Sequence, residues 1–405
     1  MIYVKETPAQ KTIRLAKEVL FGSIAHLLDL FIPVRKKTWI FGADYGFSYK
    51  ENSKYLFEYM VANHPDFDCT FVTDSEAVRK MLEERHLPCV LNDSLKGIRK
   101  IVRADAVFCS QNMNDIRYAF KKRNRTYYYM SHGQAYKNCR ETLPKNLIKR
   151  ISTIQKLKNN TEAFFCGTYS VADSEFVPAT SDFLSPHMAT CIGHSVPVEV
   201  VGMPRNDVLL ADNDSNAQAW SIRFPGKKIV TYMPTHRLYG KGQVTPTPFR
   251  NNAAVQQWLR ENNTVLLIKQ HPNMVRNMTD IFSNDVIIDI SKEKNDPQHI
   301  LKYTDVLISD YSSVFIDYLM LNRPVLFYIY DNYADVEGAM YDIDGDFPHN
   351  FCYNEDELFE KIKESVILPQ STAPSSETIA KYHKFVDSNS CERYFKAVMK
   401  GKYRS

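Results

Sequence analysis

Five short stretches of this chain each place a histidine, arginine, serine, threonine or aspartate directly after an apolar run. Ser131-His132-Gly133-Gln134 follows TYYYM, Met203 to Asp207 follows VEVVG, and Pro234-Thr235-His236-Arg237 follows IVTYM. Gln270-His271-Pro272 follows VLLIK, and Asp310 to Ser313 follows VLIS. Short apolar runs of this kind read as strands buried on both faces, and α/β folds hold ligands at the carboxyl ends of such strands. One histidine at a strand end is usually a structural hydrogen-bonding group. Five polar strand ends in series point to a site assembled from several of them.

The residue types suit a phosphate diester. Arg205 can grip a phosphate bidentately. Ser312 and Ser313 start a helix expected over about 313–321, and they offer hydroxyls and free backbone N–H groups to another phosphate; the plain alternative for Ser312 is an N-cap. His132 precedes a glycine, Gly133, that lets a ligand approach the backbone, and is a candidate general base with an ordinary pKa near ~6.5. His271 is a second candidate, better suited to donate to a phosphate oxygen. Asp317 lies one turn into the helix after Ser313, where it can accept from ribose hydroxyls or stand as a solvated carboxylate. The chain has no G-x-x-x-x-G-K-S/T, no G-x-G-x-x-G after its first strand and no G-x-S-x-G. No residues have zinc-ligand spacing. No paired carboxylates demand a metal, and a loosely bound Mg²⁺ is compatible with the pattern.

The elements that must position these residues alternate regularly. TWIFGA, DCTFVT, PCVLN, DAVFCS and TYYYM read as strands, with helices over 52–64, 75–86 and 95–103 between them. A second series, VEVVG, KKIVTYM, TVLLIK, DVIIDI, DVLIS and VLFYI, starts near Val198. Alternating strands and helices imply parallel sheets covered on both faces. The expectation is therefore α/β: two Rossmann-like domains, 37–197 and 198–405, facing each other across a cleft, with an amphipathic helix in 1–36 and a terminal helix over 375–400. In the first helix, Ile13, Ala16, Leu20, Ile24, Leu27 and Phe31 share helical spacing. They fit either a core-facing stripe or a helix lying in a membrane surface, with Lys11, Arg14 and Lys17 toward the headgroups. The uncharged run Val19–Leu28 is shorter than the roughly 20 residues a span needs.

The 405 residues are 44% hydrophobic and 24% charged, as in a folded globular protein rather than a disordered one. The net charge of +4 is unevenly spread: 115–158 holds twelve Lys and Arg against two acidic residues. Tyr127, Tyr128 and Tyr129 lie beside this basic segment but sit in an expected strand, which disfavours nucleic acid. Leu143, Leu147, Ile151 and Ile154 between the lysines make an amphipathic pattern suited to anionic lipid, or to a solvated face. Eight scattered cysteines with no C-x-x-C and no secretory-signal pattern fit free thiols in a reducing cytoplasm.

ENSKYLFEYM (51–60), SHG (131–133), GMPRND (202–207), YMPTHR (232–237), KQHP (269–272) and SDYSSVFIDYLMLNRPVLFYIYD (309–331) together resemble the CDP-glycerol glycerophosphotransferase family of teichoic acid and capsule polymerases. The resemblance covers roughly 38–360. It implies a GT-B architecture, a donor held mainly by the carboxyl-terminal domain, and peripheral attachment to the cytoplasmic face of the membrane. It places His132 as the base. Arg205, His271, Ser312 and Ser313 fall at the donor pyrophosphate, with Lys269 and Gln270 of the KQHP motif and Gly133 also at the donor; Pro234, Thr235 and Asp317 fall around the nucleoside. The implied reaction moves glycerol phosphate from CDP-glycerol to a hydroxyl on a membrane-linked glycan or growing polymer, releasing CMP, with no cofactor beyond the donor. Alternatives are a CDP-ribitol donor, a nucleotide-sugar glycosyltransferase releasing a nucleoside diphosphate, and a non-catalytic scaffold. Ser131 stands where the family often has tryptophan before His-Gly, Gln134-Ala135-Tyr136 where Thr-Pro often follows, and His236 where tryptophan often precedes the arginine.

Overall fold

The computed structural model describes residues 7–138, 164–167, 170–212, 217–235, 246–271, 281–293, 296–331 and 338–402. The basic stretch around Leu143–Lys158, together with His236 and Arg237, lies outside the described residues.

The amino-terminal sheet is built from β1 (Arg35–Gly42), β2 (Asp68–Thr73), β3 (Cys89–Leu91), β4 (Ala104–Cys109) and β5 (Thr126–Tyr129), all parallel, in the order β3-β2-β1-β4-β5. Every residue of β4 is buried, the signature of a strand covered on both faces. Helices α1 (Pro8–Phe31), α2 (Glu51–Asn63), α3 (Glu76–Glu84) and α4 (Leu95–Arg103) surround this sheet. Ser75 and Ser94 start α3 and α4 by accepting from the N–H groups of Val78 and Gly97.

The carboxyl-terminal sheet is wound the same way. It contains β8 (Lys228–Tyr232), β9 (Thr264–Ile268), β10 (Ile287–Asp289), β11 (Val306–Ser309), β12 (Val325–Tyr328) and β13 (Phe351–Cys352), parallel in the order β10-β9-β8-β11-β12-β13.

The structure departs from the sequence reading in four places. VEVVG does not join the second sheet: its strand β7 (Val198–Val200) pairs in parallel with β6 (Val177–Ala179) in a separate ribbon. The β6 segment is only three residues long and contains Pro178, which conceals it from pattern reading. The single helix expected at 375–400 is two, Ser376–Tyr382 and Ser390–Lys402. They split because they serve different cores: Tyr382 packs among Phe315 and Phe347, whereas Cys391, Tyr394 and Val398 pack with Trp39, Phe108 and Tyr128 of the amino-terminal domain. The chain thus returns to the first domain, so a division at 197/198 does not follow the packing.

Third, the apolar stripe assigned to α1 mostly faces outward. Ile13, Leu20, Leu27 and Phe31 are exposed, while Phe21, Ile24, Ala25, Leu28 and Ile32 meet the core. Glu18 lies 2.6 Å from Arg14 and 3.6 Å from Arg117, and a Cβ at Gly22 would stand 2.3 Å from the carbonyl of Phe165, so a polar contact and a close approach set the helix's rotation. Fourth, Cys69, Cys89, Cys109, Cys166, Cys352 and Cys391 are free, but Cys191 is disulfide-bonded; spacing along the chain says nothing of proximity in space.

Candidate active site

Strand β5 ends at Tyr129, and the chain turns sharply because Ser131 adopts a left-handed conformation (φ 59°). Asn52, fully buried at the start of α2, fixes the turn by donating to the carbonyls of Met130 and Ser131 at 3.0 and 2.8 Å. The Ser131 hydroxyl donates to the Gly133 carbonyl at 2.7 Å. This leaves the His132 side chain open to solvent. The protein mass around it still withdraws enough water to lower its pKa below the ordinary value; Arg205, Lys50 and Lys137 push the same way and Glu51 opposes them. A histidine that is neutral at pH 7 and reachable from solvent is equipped to take a proton.

Gly133 brings the two domains together. A Cβ there would stand 3.0 Å from the Ser313 hydroxyl and 3.7 Å from Arg205 Nη2. The His-Gly loop of one sheet and the serine turn after β11 of the other therefore share one cleft. Ser312 and Ser313 are half-buried; among the described residues the Ser312 hydroxyl accepts a long contact of 3.4 Å from Val314 N–H, and Ser313 makes no side-chain cap. The helix they open is Val314–Tyr318, continued by a 3-10 turn to Leu321.

Arg205 differs from its assignment. It is buried, its Nη1 donates to Glu51 at 2.7 Å and to the His132 carbonyl at 2.5 Å, and its Nη2 donates to Asp317 at 2.5 Å. Burial by itself would lower its pKa, but the carboxylates of Asp317 and Glu51 raise it. With both terminal nitrogens on carboxylates and only the buried Nε without a partner among the described residues, the guanidinium does not offer its terminal fork to a pyrophosphate in this arrangement. It bolts α2 of the first domain to the helix carrying Asp317 in the second.

Asp317 is likewise not a ribose contact here. It is 1% exposed, and besides Arg205 it accepts from Asn206 at 3.0 Å and Gln298 at 3.2 Å. Buried and held by three protein donors, the carboxylate faces the protein in this arrangement rather than a ribose hydroxyl. Lys269 also turns inward: its Nζ donates to the carbonyls of Ile290 and Glu293 at 3.2 and 2.8 Å, and burial lowers its pKa. Pro234 and Thr235 are buried, and Thr235 N–H donates to Asp310 at 2.8 Å, joining the ends of β8 and β11.

Gln270 is 1% exposed, and neither end of its side-chain amide has a hydrogen-bond partner among the described residues. The adjoining His271 is exposed. His132, Ser312 and Ser313 thus present polar groups at the cleft, His271 is exposed beside them, and the Gln270 amide has no partner among the described residues.

Sequence reasoning missed Glu51, Asn52, Asn206 and Gln298. The first two lie in ENSKYLFEYM, which reads as an ordinary helix start; Glu51 has φ 65°, a strained conformation for a non-glycine residue. It also missed a second bolt, in which Asp296 takes Lys54 at 2.8 Å and Tyr55 at 2.9 Å. Asp207 closes GMPRND by accepting from the N–H groups of Ser390 and Cys391, both at 2.8 Å, and so starts the returning terminal helix.

Comparison with known proteins agrees with this architecture. Residues 24–400 match the family described as CDP-Glycerol:Poly(glycerophosphate) glycerophosphotransferase. The chain is 25% identical over 348 residues to the teichoic acid poly(glycerol phosphate) polymerase of Bacillus subtilis, covering 82% of this chain and 44% of that protein. It is 26% identical over 368 residues to the teichoic acid glycerol-phosphate transferase of Staphylococcus aureus, covering 86% and 89%. The chain spans about half the length of the first relatives it matches. The solved wall teichoic acid polymerase TagF superposes with a TM-score of 0.74 at 22% identity, over 97% of this chain and 96% of that one. That likeness establishes the two-domain GT-B fold. With the match running over residues 24–400 of its 405, this chain belongs to the CDP-glycerol:poly(glycerophosphate) glycerophosphotransferase family.

Proposed function

We propose that the protein transfers glycerol phosphate from CDP-glycerol to a hydroxyl of a membrane-linked glycan or growing teichoic acid-type polymer, releasing CMP. The observation that carries this reading is the pairing of a solvent-reachable histidine of lowered pKa with a serine turn reaching it from the other domain. In the proposed step, the imidazole of His132 takes the proton of the acceptor hydroxyl. The acceptor oxygen bonds to the phosphorus that carries glycerol, and the bond from that phosphorus to the CMP oxygen breaks. Phosphoryl transfer needs positioned donors more than covalent chemistry. With Arg205 held by two carboxylates, that work falls to Ser312, Ser313 and His271. The relatives named for glycerol-phosphate polymerisation and transfer, and a TagF variant soaked with CDPG, support the choice of donor.

A membrane-linked acceptor gives the outward apolar face of α1 a role. Leu30 and Phe31 are 80% and 77% exposed, and Ile13, Leu20 and Leu27 line the same helix. No helix among the described residues is long and apolar enough to cross a membrane, so contact would be along the surface, with anionic lipid as the partner.

The test is CMP release. With a lipid-linked acceptor, CDP-glycerol should give CMP and a lengthened product, and CDP-ribitol should give less. Release of a nucleoside diphosphate from a sugar donor, with none of CMP from either CDP-polyol, would overturn the reading.

A further inference from the structure

The cleft uses the carboxyl ends of the strands, whereas the amino ends of β1 and β2 border a second cavity of about 240 Å³. Its rim is cationic. Arg35 opens β1, and Lys96, Arg99, Lys100 and Arg103 project from α4 at spacings that put them on one helical face. The one carboxylate in the lining, Asp68, is taken by Lys100, whose Nζ lies 2.5 and 2.6 Å from its two oxygens. Arg35, Lys96, Arg99 and Arg103 have no ion pair among the described residues. Like charges three and four residues apart on a helix repel, so α4 carries a cost that an anion would relieve.

The inner wall supplies a second, independent observation. Thr38 is 2% exposed, lines the cavity, and its hydroxyl has no hydrogen-bond partner among the described residues. A buried hydroxyl left unsatisfied costs about 1–3 kcal/mol. Unpaired guanidinium and ammonium groups around an unused hydroxyl complement a tetrahedral oxyanion. Pockets for drug-sized ligands run to about 300–1,000 Å³, so this smaller one suits a phosphate and its ester carbon better than a nucleotide.

We propose that this cavity is a second anion site, built for a phosphate group carried by either a lipid headgroup or a soluble phosphate ester, and separate from the donor cleft. The eight residues of β1 put the two sites roughly 25 Å apart, at about 3.3 Å per residue. The neighbourhood suits either source: α1 packs along α4 and leaves Leu30 and Phe31 exposed just before Arg35.

The probe is inorganic phosphate, compared with chloride at equal ionic strength, its binding read by calorimetry and by Tm. Arg99→Gln/Arg103→Gln should weaken phosphate binding about tenfold or more, the scale of losing a charge-assisted contact. Thr38→Val keeps charge and shape and should weaken it about threefold, an effect a merely solvated basic face would not give. Both variants should release CMP on a soluble acceptor at the wild-type rate. Wild-type protein that gains no more from phosphate than from chloride overturns the site, as does phosphate binding unchanged in both variants. If Thr38→Val does not fold, the surface double variant decides alone. Vesicles then assign the source. Reduced sedimentation of the double variant with phosphatidylglycerol vesicles, and not with phosphatidylcholine, assigns a lipid headgroup. Unchanged sedimentation alongside lost phosphate binding assigns a soluble ester. Neither vesicle result bears on the reaction in the cleft, which is read by CMP release.

Discussion

The loop carrying His132 and the segment carrying His383 both adjoin the Arg205–Asp317 ion pair. The His132 carbonyl accepts from Arg205, while the His383 ring lies 2.6 Å from the carbonyl of Ile316, the residue before Asp317. Burial lowers the pKa of both. Only His132 opens to solvent; His383 is sealed in the core. A lowered pKa therefore marks a catalytic candidate only where a substrate can reach it, and otherwise marks a buried hydrogen bond.

The comparison is broken first at His132. His132→Ala should lower turnover about 10²–10⁴-fold, as loss of a general base does, and leave thermal stability near wild type because the side chain is exposed. The acid limb of kcat/KM should fall below the ordinary histidine range. Near-normal turnover in the variant, measured by CMP release, would remove His132 from the mechanism.

Arg205→Ala should act on the fold instead. It strands two carboxylates, Glu51 and Asp317, in a buried space, and removing one partner of a buried ion pair costs about 3–5 kcal/mol. Chemical unfolding should show this loss in the absence of any ligand. If stability holds and only donor affinity drops, Arg205 is a pyrophosphate ligand after all and the bolt is wrong.

A smaller effect separates the two histidines by pH. The folded pKa of His383 lies below its unfolded value of about 6.5. As pH falls through that value the unfolded chain takes a proton that the folded one refuses, so stability is full above it and is lost below it. His383→Gln can still donate to Ile316 but does not titrate. Its unfolding free energy should change less between pH 7.5 and 5.5 than that of the wild type. Equal slopes would mean that His383 does not contribute to the acid sensitivity.

The same contrast explains how much was legible in the sequence. Short apolar runs such as AVFC (106–109) announce parallel strands without reference to the rest of the chain, so both sheets could be read in advance apart from the short β13. His132 and the Ser312–Ser313 turn could be found because strand ends are where ligands sit. What could not be read is which polar group faces the ligand and which faces the protein. Arg205 and Asp317 stand 112 positions apart, and nothing in either motif says that each is the other's partner. Lys269 bends away to backbone carbonyls for the same reason: its partners follow β10, a different strand.

Gln270 offers the finest test of that distinction. Its amide is buried, and neither end has a partner among the described residues, a state that costs free energy unless a ligand completes it. The buried amides of Asn52 and Gln298, by contrast, are held by protein partners. Gln270→Met keeps the volume and removes the polar atoms, so stability should rise by about 1 kcal/mol, read as a higher midpoint in urea. Affinity for CDP-glycerol should fall in the same variant, by roughly threefold to tenfold for one or two neutral hydrogen bonds. The two changes have opposite signs, and a packing defect would move both downward. A variant that gains stability and binds the donor as the wild type does would show that the amide is a flaw in the core, and Gln270 would join Lys269 on the protein's side of the comparison.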